Sequence, residues 1–548
     1  MDNPIAVLKN YQPTKSLIMK FNKFIPLILT TGLVILWINS VSFKKNEQEN
    51  RIKKKPNIIF LLSDDQRDNT FGAMGHPVLK TPHADKLIKK GVRFKNTYIA
   101  APVCSPSRVS FFTGMYERVH GVGFSTKYQL TEDQWMQTYP QLLRSNGYYS
   151  GFVGKFGIEY YTFKGKASEK FDFWSAHDGW SEFWPKELEN CKDYADSKED
   201  IITPIMGEKI EEFLDGIPED KPFSLSVSFS VPHGSQIVSM YPNNELAAKA
   251  RIPANEYPKL KGRPFYDTMY RDVDITIPAE TGTDPYVNIP KRILDQSKGR
   301  ATGTYIYDYS RESCKEHYIR YYQQISGMDQ VIGDLMKSLE KKGLSENTII
   351  VFASDHGLLM GEYGMSGKAL LYDMVEKIPF FIYDPRLPKD KKGITIDNLV
   401  SSLDITSTIL DYAGIEPPAN MQGKSLLPLI DGTEKEWRNE LFLESLFTGR
   451  DTPFSEGIRM GDWKYIRMYG HHQWSWEEQD VDFKNKKPEF EQLFNLKNDP
   501  REMHNLISEY EGSKILSELR TKTAKYSEEK NLERKRYVQS NPLAIKAR

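Results

Sequence analysis

Cysteine is scarce in this chain, with three in 548 residues at Cys104, Cys191 and Cys314, and no C-x-x-C pair among them. That excludes a disulfide-stapled scaffold and leaves no zinc-binding spacing. Excess charge of either sign is missing too, since 74 Lys and Arg stand against 74 Asp and Glu. A zero balance provides no bulk attraction to nucleic acid or to an anionic membrane, so nucleic acid is not expected as a partner. Long apolar runs are absent but for one, residues 24–41 (FIPLILTTGLVILWINSV), with Lys15, Lys20 and Lys23 before it and Lys44 and Lys45 after it. The run falls short of the about 20 residues of a comfortable membrane span, and Pro26 and Gly32 interrupt it. It reads as an export signal, with cleavage at the small residues Ser40-Val41-Ser42 favoured over a retained anchor. An exported protein is therefore expected, periplasmic, at the cell surface or secreted, touching a membrane only through an uncleaved signal segment.

What is present is a globular composition, 39% hydrophobic and 12% aromatic, which excludes wholesale disorder. Four units are expected: a signal at 1–42, a Lys-rich linker at 43–55, a large domain at 56–440, and a C-terminal subdomain and tail at 441–548. From Pro56 short apolar runs alternate with amphipathic stretches, the pattern of an α/β fold. Strands are expected at Asn57–Leu62, Tyr148–Val153, Phe223–Ser230 and Thr348–Ala353. Helices are expected at Ala84–Lys90, stopped by Gly91, at Thr138–Asn146, and at Glu316–Lys342. Repeated strand–helix units predict a large, mostly parallel sheet sandwiched by helices. The Gly457–Ile466 stretch, with a turn at Gly461-Asp462, predicts a smaller antiparallel sheet near the C-terminus.

Each of the four strands runs into ionisable residues: Asp64-Asp65, Lys155, His233 and Asp355-His356. In a parallel sheet the carboxyl ends share one edge, where ligands bind. Three carboxylates and an imidazole at one edge repel unless a cation lies between them, and oxygen-dominated ligation points to calcium or magnesium over zinc. Solvated loop acids are the alternative at either pair. Cys104 opens Cys104-Ser105-Pro106-Ser107-Arg108, and the segment after Ser107 is expected to start a helix whose free N–H groups favour an anion. Arg108 adds a fixed positive charge suited to a tetrahedral oxyanion. A thiolate nucleophile and an inert buried thiol both remain open from these residues alone.

The Cys104–Gly114 segment, with its Cys-x-Pro-x-Arg core and closing Thr-Gly, resembles the first signature of the type I sulfatases of the alkaline phosphatase superfamily. Gly147–Lys155 resembles their second signature. Asp64-Asp65, Ser354–Gly357, Lys368 with Tyr372, and Leu493–Leu496 through Asn505-Leu506 follow in family order, so the resemblance spans about residues 56 to 510. It implies an alkaline phosphatase-like fold and a Cys104 oxidised after translation to formylglycine by a maturation enzyme. The hydrated aldehyde would attack sulfur. Asp64, Asp65, Asp355, His356 and an oxygen of modified Cys104 would hold one calcium ion. Arg108, Lys155 and Lys368 would surround the sulfate, and His233 would face the leaving group. Many sulfatases carry a histidine two residues after the second-signature lysine, where this chain has Gly157; His120 is the candidate replacement, with a packing role as the alternative.

The Asp64–Arg67 start and the Tyr116–Gly121 stretch look most like bacterial polysaccharide sulfatases. Trp174, Trp180 and Trp184, the insertion from Val238 to Ser310, and the aromatic loop His471–Trp476 suit a sulfated glycan better than a small aryl ester. Ulvan is one candidate, with carrageenan, fucan and glycosaminoglycans open. A phosphodiesterase or phosphonate monoester hydrolase of the same superfamily is the alternative enzyme, and a glycan-binding protein the non-enzymatic one. If Cys104 is modified, Cys191 and Cys314 are left as an even pair, their bridging undetermined.

Overall fold

Asn57–Ser63 (β1) is apolar at every position but its ends, and all seven residues are buried, as a strand covered on both faces must be. The other strands of its sheet are Val92–Tyr98 (β2), Tyr149–Lys155 (β3), Phe173–His177 (β4), Phe223–Ser228 (β5), Thr348–Ser354 (β6), Phe381–Tyr383 (β7) and Ile394–Ser401 (β8). Their spatial order is β8-β2-β7-β6-β1-β5-β3-β4. All neighbours run parallel except β7, which is antiparallel to both β2 and β6. These elements come from a computed structural model that describes residues 55–123, 128–158, 167–179, 181–240, 266–294, 311–447, 452–469, 486–540 and 544–545. The expected export signal, most of the linker, Trp180, much of the insertion and the loop at His471–Trp476 lie outside the described residues. No described helix is long and apolar enough to cross a membrane.

Alternation along β1 builds two apolar layers. Ile59 and Leu61 join one core with Leu87, Phe213, Ile325 and Ile332, drawn from the helices Pro82–Lys90 (α1), Ile202–Asp215 and Arg311–Lys341. Ile58, Phe60 and Leu62 join the opposite core with Phe111, Phe112, Leu143 and Ile409, from Cys104–Thr113, Tyr139–Ser145 and Ser402–Tyr412. Strand β5 has the same period but puts Phe223, Leu225 and Val227 on one face and Ser224, Ser226 and Ser228 on the other, all buried. The small serine face leaves room for large polar neighbours: Tyr139 meets Ser226 at 2.7 Å, and Arg108 bonds to Ser228.

The C-terminal antiparallel sheet has the order Glu440–Ser445 (β9), Phe454–Met460 (β10), Trp463–Tyr469 (β11) and Phe490–Asn495 (β12). One face packs Leu443, Ile466, Met468 and Phe494 against Leu371, Tyr372 and Val375. The other receives the helix Lys514–Ser540 through Leu516 and Leu519. Residues from Pro56 onward form one compact unit.

One expectation shifts, and one open question is answered. The helix near Arg108 starts at Cys104 itself, since Pro106 lies in the first turn, where no intrahelical N–H is needed. Cys191 and Cys314 both remain thiols. Cys191 sits in the turn Glu189–Tyr194, while Cys314 donates to the Met360 carbonyl at 3.1 Å.

Candidate active site

The carboxyl ends of β1, β3, β5 and β6 deliver the polar residues to one edge of the large sheet. Asp64 follows β1 directly, its N–H donating to the Val231 carbonyl at 3.1 Å. Asp65 adopts φ +64°, in the left-handed region that aspartate enters more readily than most residues with a side chain. Its N–H donates to Asp355 Oδ1 at 3.1 Å, and Tyr321 donates its hydroxyl to the Asp65 carbonyl at 2.9 Å. Asp355 follows β6 and donates its own N–H to the Ser63 carbonyl at 3.0 Å. The register of β1 with β6, Ser63 opposite Ser354, thus places the acid pairs side by side.

Cys104 occupies the first position of its helix and is buried. Its Sγ lies 3.3 Å from His356 Nε2 and 3.6 Å from Asp64 Oδ1, and it accepts from Lys368 Nζ at 2.8 Å. Lys368 also reaches Asp65 Oδ1 at 2.7 Å, and Lys155 reaches Asp64 Oδ2 at 2.5 Å. One turn along the Cys104 helix, Arg108 pairs with Asp355 Oδ2 at 2.9 Å and donates to the Lys155 carbonyl at 3.0 Å. His233 is the outermost member, its Nε2 3.7 Å from Asp65 Oδ2 and its Nδ1 accepting from the Ser235 N–H at 3.1 Å.

Burial opposes every charge here, and the neighbours decide which survive. For Asp64, burial pushes the carboxyl up, but Lys155, His233 and Arg108 outweigh it and hold it well below the usual range. For Asp65, burial is overcome by Lys368 and two histidines. Asp355 goes the other way, to about 6, because burial and then the Asp64 charge raise it. The Cys104 thiol is held well below its ordinary value, burial losing to Lys155 and Lys368. A buried thiolate among cations is the environment of a reactive sulfur, not of an inert one.

Donor atoms of Asp64, Cys104, Asp355 and His356 lie within 4.8 Å of one another, as do those of Asp64, Asp65, Cys104 and His233. Both sets are carboxylate-rich and buried or nearly so. A divalent cation fits, because it would relieve the repulsion that lifts Asp355.

Nine of the ten residues singled out from the sequence therefore meet at this edge: Asp64, Asp65, Cys104, Arg108, Lys155, His233, Asp355, His356 and Lys368. His120 does not join them. It ends the short helix Glu117–His120, where Nδ1 accepts from the Val122 N–H at 3.1 Å and Nε2 meets Ser110 Oγ at 3.2 Å. Both ring nitrogens are engaged in packing the turn, so the expected role beside the nucleophile is not supported by its position. The space beside Gly157 is filled as well. Gly157 has φ +65°, and a Cβ there would stand 2.7 Å from Arg108 Cδ.

Sequence reasoning missed His177, which ends β4 opposite Lys155, buried, with Nε2 2.8 Å from Ser230 Oγ. Burial and Lys155 push its imidazole down to about 3, so it is neutral. The available signal was a fifth strand ending in an ionisable residue. Ser107 and Ser354 were missed too; they tie the Asp355 carbonyl at 2.6 Å and the Gln66 N–H at 3.0 Å.

Comparison with known proteins matches residues 56–415 to the sulfatase family model, and residues 361–529 to the model of the N-sulphoglucosamine sulphohydrolase C-terminal region. The chain is 28% identical to an N-acetylglucosamine-6-O-sulfatase of Bacteroides thetaiotaomicron, covering 92% of this chain and 90% of that protein. It is 26% identical to an ulvan-active sulfatase of Formosa agariphila, covering 82% and 78%. A solved structure in complex with its substrate D-glucosamine-2-N,6-O-disulfate aligns with a TM-score of 0.62 at 25% identity, covering 88% of this chain and 99% of that one. A phosphonate monoester hydrolase of Agrobacterium radiobacter, at 20% identity, a TM-score of 0.61 and coverage of 88% and 96%, shares the fold.

Proposed function

The chain belongs to the sulfatase family and is a sulfuric ester hydrolase, and from that premise we propose that it removes sulfate from a sulfated polysaccharide or oligosaccharide, with ulvan a candidate. The nucleophile in this reading is a formylglycine derived from Cys104 by a maturation enzyme, and one calcium ion is held by Asp64, Asp65, Asp355, His356 and residue 104. The observation that carries it is the position of Cys104 at the first turn of a buried helix, between Lys368 and the three carboxylates. Oxygen-rich donors favour calcium. When present, the modified residue supplies an oxygen nucleophile and the ion neutralises nucleophile and sulfate charge.

The chain's own side chains divide the remaining work. Arg108, clamped by Asp355, the Lys155 carbonyl and Ser228, is a fixed donor that needs no reorganisation as charge develops. Lys368 already contacts the Cys104 side chain, whose sulfur gives way to oxygen on maturation, and is partly exposed, so it can touch both the modified residue and the sulfate. Lys155, more deeply set, holds Asp64 and the sulfate from below. His233, at the outer side with Nδ1 tied to Ser235, presents Nε2 toward the leaving group, where it can hand over a proton. Export to the periplasm, the cell surface or the medium suits a polymeric substrate, and the ulvan-active and N-acetylglucosamine-6-O-sulfatase relatives support a glycan.

The test is sulfate release by the matured protein from a panel of ulvan, carrageenan, fucan and glycosaminoglycan oligosaccharides, with an aryl sulfate and matched phosphate esters alongside. Release from one glycan class well above the aryl sulfate is expected. Faster cleavage of the phosphate esters would overturn the assignment in favour of a phosphodiesterase or phosphonate hydrolase. Intact mass of the Cys104 peptide from the native host should fall to that of the aldehyde.

A further inference from the structure

Lys368 belongs to the site at the large sheet's edge, but the chain just beyond it is gripped from the other sheet. Ala369 has φ +70°, in the left-handed region that a residue with a Cβ keeps only when its surroundings fix it. Two bonds fix it. Its N–H donates to the Pro102 carbonyl at 3.0 Å, two residues before Cys104. Its carbonyl accepts from Ser445 Oγ at 2.8 Å, and Ser445 is the last residue of β9 in the C-terminal sheet. Ala369 and Ser445 are both fully buried, so no water can replace the bond. Farther along, the Asp373 N–H donates to Glu502 Oε2 at 2.6 Å, and the buried Lys464 of β11 pairs with Asp373 at 2.9 Å, Glu376 at 3.0 Å and Glu502 at 2.9 Å.

A lysine side chain has four rotatable bonds, so its ammonium stays on one target only where its own backbone is fixed. We infer that Ser445 is a positioning residue for the sulfatase reaction: its hydroxyl locks the peptide after Lys368 and thereby holds Nζ between Cys104 and Asp65. The inference rests on the reading of Lys368 as a sulfate-holding group. Through Ser445 the C-terminal sheet becomes part of the catalytic apparatus without touching substrate. Removing the hydroxyl leaves a buried carbonyl unpaired next to a left-handed alanine, and the residue that relaxes is the neighbour of Lys368.

The experiment compares the wild type, Ser445→Ala, Lys368→Ala and the double variant, all matured, by kcat and KM for a sulfate ester and by deuterium exchange of the segment 366–372. Ser445→Ala is expected to lower kcat about tenfold with little change in KM, and to lower it less than about twofold when Lys368 is already alanine. Ser445→Thr, which keeps the hydroxyl, should recover most of kcat. Exchange at the Ala369 amide should accelerate in Ser445→Ala. Equal losses in both backgrounds, as a general weakening of the fold would produce, or an unchanged kcat would overturn the inference. The exchange arm needs no turnover: unaltered exchange refutes the link by itself, whereas a wild type that releases no sulfate refutes the functional reading.

Discussion

Two of the buried ionic assemblies among the described residues make an instructive pair, because the proposed chemistry falls to one of them. At the large sheet's edge Asp64, Asp65 and Asp355 face Arg108, Lys155 and Lys368. Near the C-terminal sheet Arg118 lies between Glu444 at 2.9 Å and Glu456 at 2.7 Å, with Arg467 also on Glu456, and Ser527 accepts from Arg118 and donates to Glu456. Both sets are buried and paired. The second holds no nucleophile: Arg118 meets one carboxylate on either side, and the Phe442 ring covers it at 5.4 Å. The first holds a thiol at a helix start and an aspartate in the left-handed region, whereas crowded carboxylates occur in both: after burial, Glu444 raises Glu117 as Asp64 raises Asp355. In the first, Lys368 and His233 keep 13% and 14% of their side chains exposed. Burial, pairing and crowding of like charge are common to both networks; a reachable nucleophile among them marks a site.

The sharpest way to test that contrast is to remove one central residue from each assembly. Cys104→Ala should lower sulfate release by more than about a thousandfold, with the melting temperature nearly unchanged. Arg118→Met should do the reverse. It strands Glu444 in a buried site and should lower the unfolding free energy, measured in urea, by about 3–5 kcal/mol, with kcat of the folded fraction kept within about twofold. A large kcat loss in that variant would erase the distinction.

Chelation tests the first assembly alone. Dialysis against a chelator should depress sulfate release by about a hundredfold, and calcium should restore it. The melting temperature should fall as well, since a ligand present at about 100 times its dissociation constant stabilises by about 2.7 kcal/mol. Persistence of full activity would remove the ion from the reading.

The smallest effect concerns His120, which belongs to neither charge set. Burial, then Arg534, pushes its imidazole to about 3 from an ordinary 6.5. Below 6.5 the unfolded chain takes up a proton that the fold refuses, so this contribution is complete above pH 6.5 and is lost as pH falls toward 3. Between pH 7 and pH 5 the wild type should therefore lose about 2 kcal/mol relative to His120→Asn. An unchanged gap would mean that His120 is charged in the fold.

Much of this was legible beforehand, for local reasons. Continuous apolar runs gave β1 and β6, and the residues just past them gave the acid pairs. The segment around Cys104 was legible by its resemblance, although its helix starts three residues before Ser107 because prolines are tolerated in a first turn. The rest depends on distant partners. Ser445 and Arg118 look like ordinary strand and helix residues until Ala369, 76 positions away, and Glu456, 338 positions away, are brought to them. His177 ends a short strand, Phe173–His177, in which Ser175 breaks the apolar run that made the ends of β1 and β6 easy to read.

Gly157 limits the order in which this enzyme can change. Arg108 occupies the volume that any side chain at position 157 would need, and three separate bonds hold Arg108 there. A histidine installed at position 157 alone would collide with the guanidinium arm before it could serve any purpose. In this chain the Arg108 arm must therefore move before any side chain can be seated at 157.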